Sequence, residues 1–228
     1  MMDAARSGCT ASFQPSGRPL SVWLAGRIEH EAYQAMAERL AWEVSEPAGR
    51  PPTLVIYEPA VGISIGRLGS QTDIDLSSEE RTTLGIPVRF VGRGGGVVPH
   101  GPGQIGIGLF APLAGLGLGP TDIGGLVERF EAGLEAAVRS LRCAAVRDSR
   151  HPGIFGRSGL LATVSLAVRR GIVWHGGFLN VCPDLELFRR VQTVPVAASL
   201  TRRTMARCRL KFAVVFGCRM PARQSFAG

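Results

Sequence analysis

Apolar and polar positions along this chain follow two periods, and the switches between them mark out its elements. Leu20 to Leu24 is a short apolar run of strand type. From Glu29 to Val44 the spacing turns helical, with Ala32, Ala35, Met36, Leu40 and either Trp42 or Val44 on one face. The Pro/Gly stretch from Pro47 to Pro52 ends that helix. Thr53 to Glu58 and Gly62 to Ile65 then read as strands on either side of a turn at Pro59. Asp75 to Thr83 predicts a short polar helix, with Ser77 or Ser78 as its N-cap. Pro87 to Val91 predicts a strand, and Ile105 to Phe110 its antiparallel partner. Thr121 is placed to cap an amphipathic helix reaching Leu141, with Ile123, Leu126, Phe130, Leu134, Val138 and Leu141 on one face. Leu160 to Arg169 and Gly171 to Val181 predict a strand pair, and Pro183 to Arg190 a short helix. The pattern predicts a single α+β domain with a largely antiparallel sheet flanked by helices. Its expected limits are residues 20–200, between a flexible segment 1–19 and a basic segment 201–228.

Composition narrows the function classes. Hydrophobic content of 45% and charged content of 19% describe an ordinary globular protein, and no apolar run has the length of a membrane span. Met1 to Pro19 has no apolar core of the secretory type, so the expected location is the cytoplasm, with no membrane partner. The net charge of +8 suits an acidic carrier protein, an acidic acceptor domain or a nucleic acid. Aromatic content of 7%, with no RNA-binding signature, argues against a specific nucleic-acid reader. Much of the excess lies in Arg202, Arg203, Arg207, Arg209, Lys211, Arg219 and Arg223, and no acidic residue follows Glu186. That end fits a basic helix-and-strand tail or a segment read from a shifted frame. Cys9, Cys143, Cys182, Cys208 and Cys218 form no Cys-x-x-Cys pair and lack nearby histidine spacing, so free thiols are expected and no metal.

The densest chemistry lies in Arg89 to Gln104, where Arg93 precedes the triplet Gly94, Gly95, Gly96, and His100 opens a second Gly-Pro-Gly turn. Such a loop can present backbone N–H groups and a guanidinium to a carbonyl, carboxylate or phosphate, or it can simply turn the chain as a glycine-rich hairpin. It is neither a Walker loop nor a dinucleotide fingerprint, because no Gly-Lys-Ser/Thr follows and no helical pattern starts at its last glycine.

The segment Arg93-Gly-Gly-Gly-Val-Val-Pro-His-Gly-Pro-Gly-Gln104 resembles the signature of the bacterial octanoyltransferases, relatives of the lipoate–protein and biotin–protein ligases. The resemblance continues through Ile65-Gly66-Arg67 and Pro152-Gly153-Ile154-Phe155. Arg169-Arg170, His175-Gly176, Leu179-Asn180-Val181, Asp184-Leu185 and Phe188 then follow in family order. It implies a fold of the biotin/lipoate protein ligase, class II synthetase-like, type. It also implies transfer of an octanoyl or lipoyl group from acyl carrier protein to a lysine of a lipoyl domain, as in 2-oxoacid dehydrogenases and the glycine cleavage H protein. No cofactor is implied. By the same resemblance the acyl cleft is lined by Arg93, Gly94, Gly95, Gly96, Val97, Val98, Pro99 and His100, by Thr163, Val164 and Ser165, and by Gly176, Gly177 and Phe178.

The departures fall on the chemistry. The family relays the acyl group through a cysteine thioester, assisted by a lysine. Counted from His175, the lysine position holds Leu160, and counted from Asn180 the cysteine position holds Val194, or Val196 if Pro195 is aligned. A valine cannot form an acyl-enzyme, and Arg157, the nearest cation to Leu160, is a poor proton acceptor. Ala198-Ser199-Leu200 resembles the family's downstream Thr-Ser-Leu but arrives early. Cys143 and Cys182 are expected to be ordinary small residues, with no flanking cation to lower their pKa. A catalytically silent acyl- or lipoyl-domain-binding protein therefore stands as an alternative, and so does an ATP-dependent ligase.

Overall fold

The structure, a computed structural model, describes residues 20–148, 152–156 and 159–191. Arg157, the positions 194–200 aligned with the family's cysteine loop, Cys9, Cys208, Cys218 and the basic terminal segment lie outside the described residues.

Two sheets form the framework. The larger has seven strands in the order β1 (Ser21–Ile28), β2 (Thr53–Pro59), β6 (Gln104–Pro112), β10 (Ile172–Asn180), β9 (Gly159–Arg169), β8 (Gly153–Gly156) and β7 (Val146–Arg147). Only β1 and β2 are parallel, and α1 (His30–Ser45) makes the crossover that a parallel pair requires. The smaller sheet sets β3 (Gly62–Ile65) between β4 (Val88–Phe90), parallel to it, and β5 (Val97–His100), antiparallel to it. The antiparallel expectation therefore holds for most of the framework. No described helix is long and apolar enough to cross a membrane.

Alternation along β2 shows how one strand serves two cores. Leu54 and Ile56 face the cluster built by Leu126, Phe130, Leu134 and Val138 of α3 (Ile123–Ser140). Val55 and Tyr57 face the opposite cluster, where α1 contributes Tyr33, Ala37, Leu40 and Val44. The α1 stripe thus ends on Val44, whereas Trp42 is 64% exposed. A third cluster, including Ile63, Ile65, Leu76 and Val97, packs under the small sheet.

Two expectations are corrected. Ile105 to Phe110 does not pair with Pro87 to Val91. It lies within β6, which is buried on both faces and bonds to β2 and β10, while β4 joins β3. A strand apolar on both faces needs cover on both, and the large sheet gives it: Ile105, Ile107 and Leu109 pack with α3, and Phe110 packs with α1. Thr121 is not the cap of α3. The Asp122 carboxylate accepts from the Gly125 N–H at 2.9 Å, which moves the start one residue on.

Other expectations are met with shifted ends. Ser77 caps α2 (Ser78–Thr83) and α4 spans Leu185–Arg189. The pairing of β9 with β10 runs through a two-residue turn in which Arg170 and Gly171 both take positive φ, 51° and 76°.

The Phe130 ring is buried where α3 meets Gly176 and Gly177 of β10. Phe130→Ala is expected to cost about 3–5 kcal/mol through loss of burial and the cavity left behind. Urea denaturation measures it, and a loss under about 1 kcal/mol would contradict this packing.

Candidate functional site

The glycine loop is organised around one cation. Arg93 is 3% exposed, and its guanidinium donates to the Gly94 and Gly96 carbonyls at 2.9 and 3.1 Å, and to the Ser64 carbonyl and hydroxyl at 2.9 and 2.7 Å. The loop is therefore not a hairpin. It curls over its own arginine and reaches back to the turn after β3, where the N–H groups of Gly66, Arg67 and Leu68 donate to Gly96, Arg93 and Gly95. A Cβ at Gly66 would lie 2.4 Å from the Gly95 carbonyl oxygen, so the close approach needs glycine there. On the other side, Gly94 N–H donates to the Leu166 carbonyl at 3.0 Å. The ladder of β8 with β9 runs only to Thr163, and beyond that point the loop covers part of the β9 edge.

Beside this loop is a small, solvent-connected cavity. Its walls come from the α1 start (Glu29, His30, Glu31, Tyr33), the β2–β3 turn, Ser64, Arg89, Arg93, His100, His175 and Phe178. The chain's two tyrosines, Tyr33 and Tyr57, stack with centroids 4.5 Å apart, their hydroxyls hydrogen-bonded to each other. Tyr57 occupies space left by Gly106, whose Cβ would lie 2.4 Å from its ring. The Phe178 ring stands 6.5 Å from Tyr57, edge-on, and 4.4 Å from His100. His175 takes φ +61°, which interrupts strand alternation. Its ring lies 4.5 Å from that of neighbouring Trp174 and 6.1 Å from Tyr33, although adjacent strand residues ordinarily point to opposite faces.

The electrostatics follow from burial. Burial lowers Arg93 to about 10, and it remains charged near neutral pH. His100 is held neutral by burial first and then by Arg93, with its Nε2 2.5 Å from the Ser64 hydroxyl. His175 falls to about 4 for the same two reasons, in the same order. On the rim, His30 is lowered by burial and by Arg89, whose guanidinium pairs with Glu31. Burial raises both tyrosines, so their phenols stay protonated.

The structure brings Arg93, His100 and Phe178 together as cavity walls, and adds His175. Gly94, Gly95 and Gly96 wrap the arginine, and Val97, Val98 and Pro99 form β5 with His100. Thr163 pairs with Phe178 and Ser165 with Gly176, each of the two with a buried hydroxyl that has no hydrogen-bond partner among the described residues. Arg93 Nε and His175 Nε2 share that condition. Buried polar atoms left open in this way mark places for water or a ligand. Val164 packs instead with the α3 core, and Gly176 and Gly177 lie against the Phe130 ring.

Leu160 is 3% exposed, and its carbonyl accepts from Asn180 Nδ2 at 3.3 Å. Asn180 Oδ1 in turn accepts from Gln104 Nε2 at 2.9 Å. Cys143 is half-buried and Cys182 exposed, and neither lines the cavity.

Ser64, Tyr33, Tyr57, His30 and Arg89 are wall residues that the motifs did not name. Ser64 had a signal, since it stands one residue before the Ile65-Gly66-Arg67 motif. The tyrosines had none, because their meeting depends on how α1 crosses β2.

The Lipoyl protein ligase A/B catalytic domain matches residues 30–210. The chain belongs to this family. An octanoyltransferase of Pseudomonas syringae pv. tomato is 40% identical over 166 residues, covering 73% of this chain and 71% of that one. An octanoyltransferase of Geotalea uraniireducens is 33% identical over 172 residues, 75% of each chain. Among solved structures, lipoate-protein ligase A bound with ATP superposes with a TM-score of 0.70 at 18% identity, covering 87% of this chain and 84% of that one. The bi-partite lipoate protein ligase of Thermoplasma acidophilum, solved with its E2 lipoyl domain, gives 0.69 at 16% identity, covering 86% and 82%. The fold is thus the lipoate-ligase type that the motifs implied.

Arg93→Lys retains the charge but not the planar fork that reaches four oxygens. It is expected to cost about 2–4 kcal/mol in denaturant unfolding, from several charge-assisted bonds lost in a buried place. A neutral result would contradict the organising role of the guanidinium.

His175 supplies a pH test. Its folded value of about 4 lies below the unfolded value of about 6.5, so on acidification the unfolded chain binds this proton first. Stability is therefore expected to fall as pH drops from about 6.5 to about 4, by on the order of 3 kcal/mol from this group. His100 acts in the same direction. His175→Asn, which tolerates the positive φ, is expected to flatten the decline in denaturation midpoints measured across that range. An unchanged slope would contradict the buried neutral imidazole.

Proposed function

We propose that this family member transfers an octanoyl or lipoyl group from acyl carrier protein to a lysine amine on a lipoyl domain, in the protein lipoylation of 2-oxoacid dehydrogenases and the glycine cleavage H protein, and does so in the cytoplasm. The observation that carries the reading is the aromatic cavity bordered by the Arg93 loop. It occurs in a chain whose relatives at 33–40% identity are named octanoyltransferase. In this reading the acyl chain lies among Phe178, Tyr57, Tyr33 and His100. The Arg93 to His100 segment, Thr163 to Ser165 and Gly176 to Phe178 surround its path. The open hydroxyls of Thr163 and Ser165 are available to the thioester end. A basic chain favours encounter with acidic carrier and acceptor domains.

The overall step forms a bond from the lysine nitrogen to the acyl carbon and breaks the carbon–sulfur bond. The amine's proton passes to the departing thiolate. If the family cysteine position falls on Val194, or on Val196 with Pro195 aligned, the amine attacks the thioester directly or another thiol serves. Cys182, exposed and two residues beyond Asn180, is the first described thiol to examine.

A second reading is favoured by Leu160, buried where the family lysine belongs, and by Val194. In it the cavity binds an acyl chain or a lipoyl domain without turnover.

Intact mass of a lipoyl domain incubated with this protein and octanoyl-acyl carrier protein separates the readings. A gain of one octanoyl group is expected. Gain only in a parallel reaction with ATP and free octanoate or lipoate would make the protein a ligase. No gain in either, from folded protein that binds the acyl group, would establish the silent binding form.

A further inference from the structure

We infer that the β9–β10 turn, with Arg169 and Arg170 on it and Trp174 beside it, is the docking surface for the acidic acyl carrier protein, an inference that rests on the acyl-transfer reading above. The turn carries strain at one residue. Arg169 pairs with Ile172, so Arg170 and Gly171 make the whole connection, with φ of 51° and 76°. Two consecutive positive φ values suit Asn-Gly or Gly-Gly, because most L side chains are disfavoured there. Arginine at the first place gives up stability and gains a guanidinium. A strained residue of this kind points to a use outside the fold.

Nothing among the described residues uses that charge. Arg169 and Arg170 are exposed, and neither makes an ion pair with a described residue. Arg39, Arg139, Arg147 and Arg190, by contrast, all pair with nearby carboxylates. A Cβ at Gly171 would meet no atom within 4 Å, so the turn stands clear of its surroundings. Two adjacent, unspent guanidiniums on such a turn suit the carboxylates and the phosphodiester of a carrier domain.

The turn is continuous with the candidate site. Residues opposite each other in an antiparallel pair share a face, so Arg169 stands on the face of Ile172, and Ala167 on that of Trp174. Ile172, Trp174 and Phe178 all pack against the α1 cluster, which makes this the cavity side of the large sheet. The half-buried Trp174 ring lies 4.5 Å from that of His175, a cavity wall. It also borders the start of the Arg93 loop, where a Cβ on Gly92 would lie 3.7 Å from it. A partner held by the arginines therefore stands beside an indole that is one residue from the cavity. Of the two acidic domains in the reading, the carrier brings the acyl group that the cavity takes, so it is the one that has to rest next to that wall.

The test measures binding, so it does not depend on turnover. Dissociation constants for octanoyl-acyl carrier protein, and separately for a lipoyl domain, are measured by biolayer interferometry with the wild-type protein, Arg170→Asn, Arg169→Glu and Arg39→Glu. Thermal midpoints are recorded for each. Asparagine tolerates the positive φ, so Arg170→Asn is expected to raise the midpoint by about 2 °C while weakening carrier binding about fivefold. Arg169→Glu is expected to weaken it by on the order of tenfold, with the loss shrinking as salt is raised. Arg39→Glu makes the same change in net charge on α1 and is expected to leave carrier binding unchanged. A midpoint that falls in Arg170→Asn removes the strain and overturns the inference. Unchanged carrier binding by the turn variants, or an equal loss with Arg39→Glu, also overturns it and leaves the acyl-transfer reading standing. A loss confined to the lipoyl domain overturns the carrier as the occupant. Absence of carrier binding by the folded wild-type protein overturns both.

Discussion

Arg93 donates to four oxygens contributed by two segments of chain, the Ser64 carbonyl and hydroxyl on β3 and the Gly94 and Gly96 carbonyls on its own loop. An unpaired cation is costly to bury unless its hydrogen bonds are met, and here polar groups rather than a carboxylate meet those of both terminal nitrogens, leaving Nε open among the described residues. The loop can therefore take only conformations that aim those carbonyls inward, which leaves its outer edge to meet the β9 strand through Gly94. The same Ser64 hydroxyl lies 2.5 Å from His100, so the cation, the small sheet and one cavity wall form a single hydrogen-bonded unit. The cavity lies beside this unit and is walled by the Tyr33, Tyr57 and Phe178 rings.

Those rings depend on missing side chains. Tyr57 lies where a Gly106 side chain would be, and the Tyr33 hydroxyl lies 2.7 Å from where a Cβ on Gly108 would sit. The positive φ at His175 turns its ring toward Tyr33, adding a fourth wall from a strand that would otherwise send it to the opposite core. Backbone irregularity at one residue and glycine on the neighbouring strand together create room for a ligand within an otherwise close-packed interior.

Much of this was legible in the sequence, for reasons that differ by element. The α3 face and the β9–β10 pair announce themselves because burial on one side imposes a period, and Arg170-Gly171 supplies the positive-φ turn that joins the strands. The partner of β4 was not legible. An apolar run such as 105–110 declares that it is buried and not which strands flank it, and the parallel contact of β3 with β4 spans a loop and helix that periodicity cannot register. At the site, Arg93, His100 and Phe178 stood out through motif resemblance, and all three line one cavity. Tyr33, Tyr57 and Arg89 reach it only through tertiary crossing. That Arg93 spends its donors on its own loop could not be read from Arg-Gly-Gly-Gly, which suits an outward-facing anion grip equally well.

The most direct test of an acyl chain lying between the two sheets is photo-crosslinking with an octanoyl thioester carrying a diazirine near its far end, followed by peptide mass mapping. Label is predicted on Phe178, Tyr57, His100 or their immediate neighbours, and is predicted to be displaced by unlabelled octanoyl thioester. Displaceable label confined to the groove beside α3, at Val127, Glu131, Arg147 or Pro152, would contradict the account.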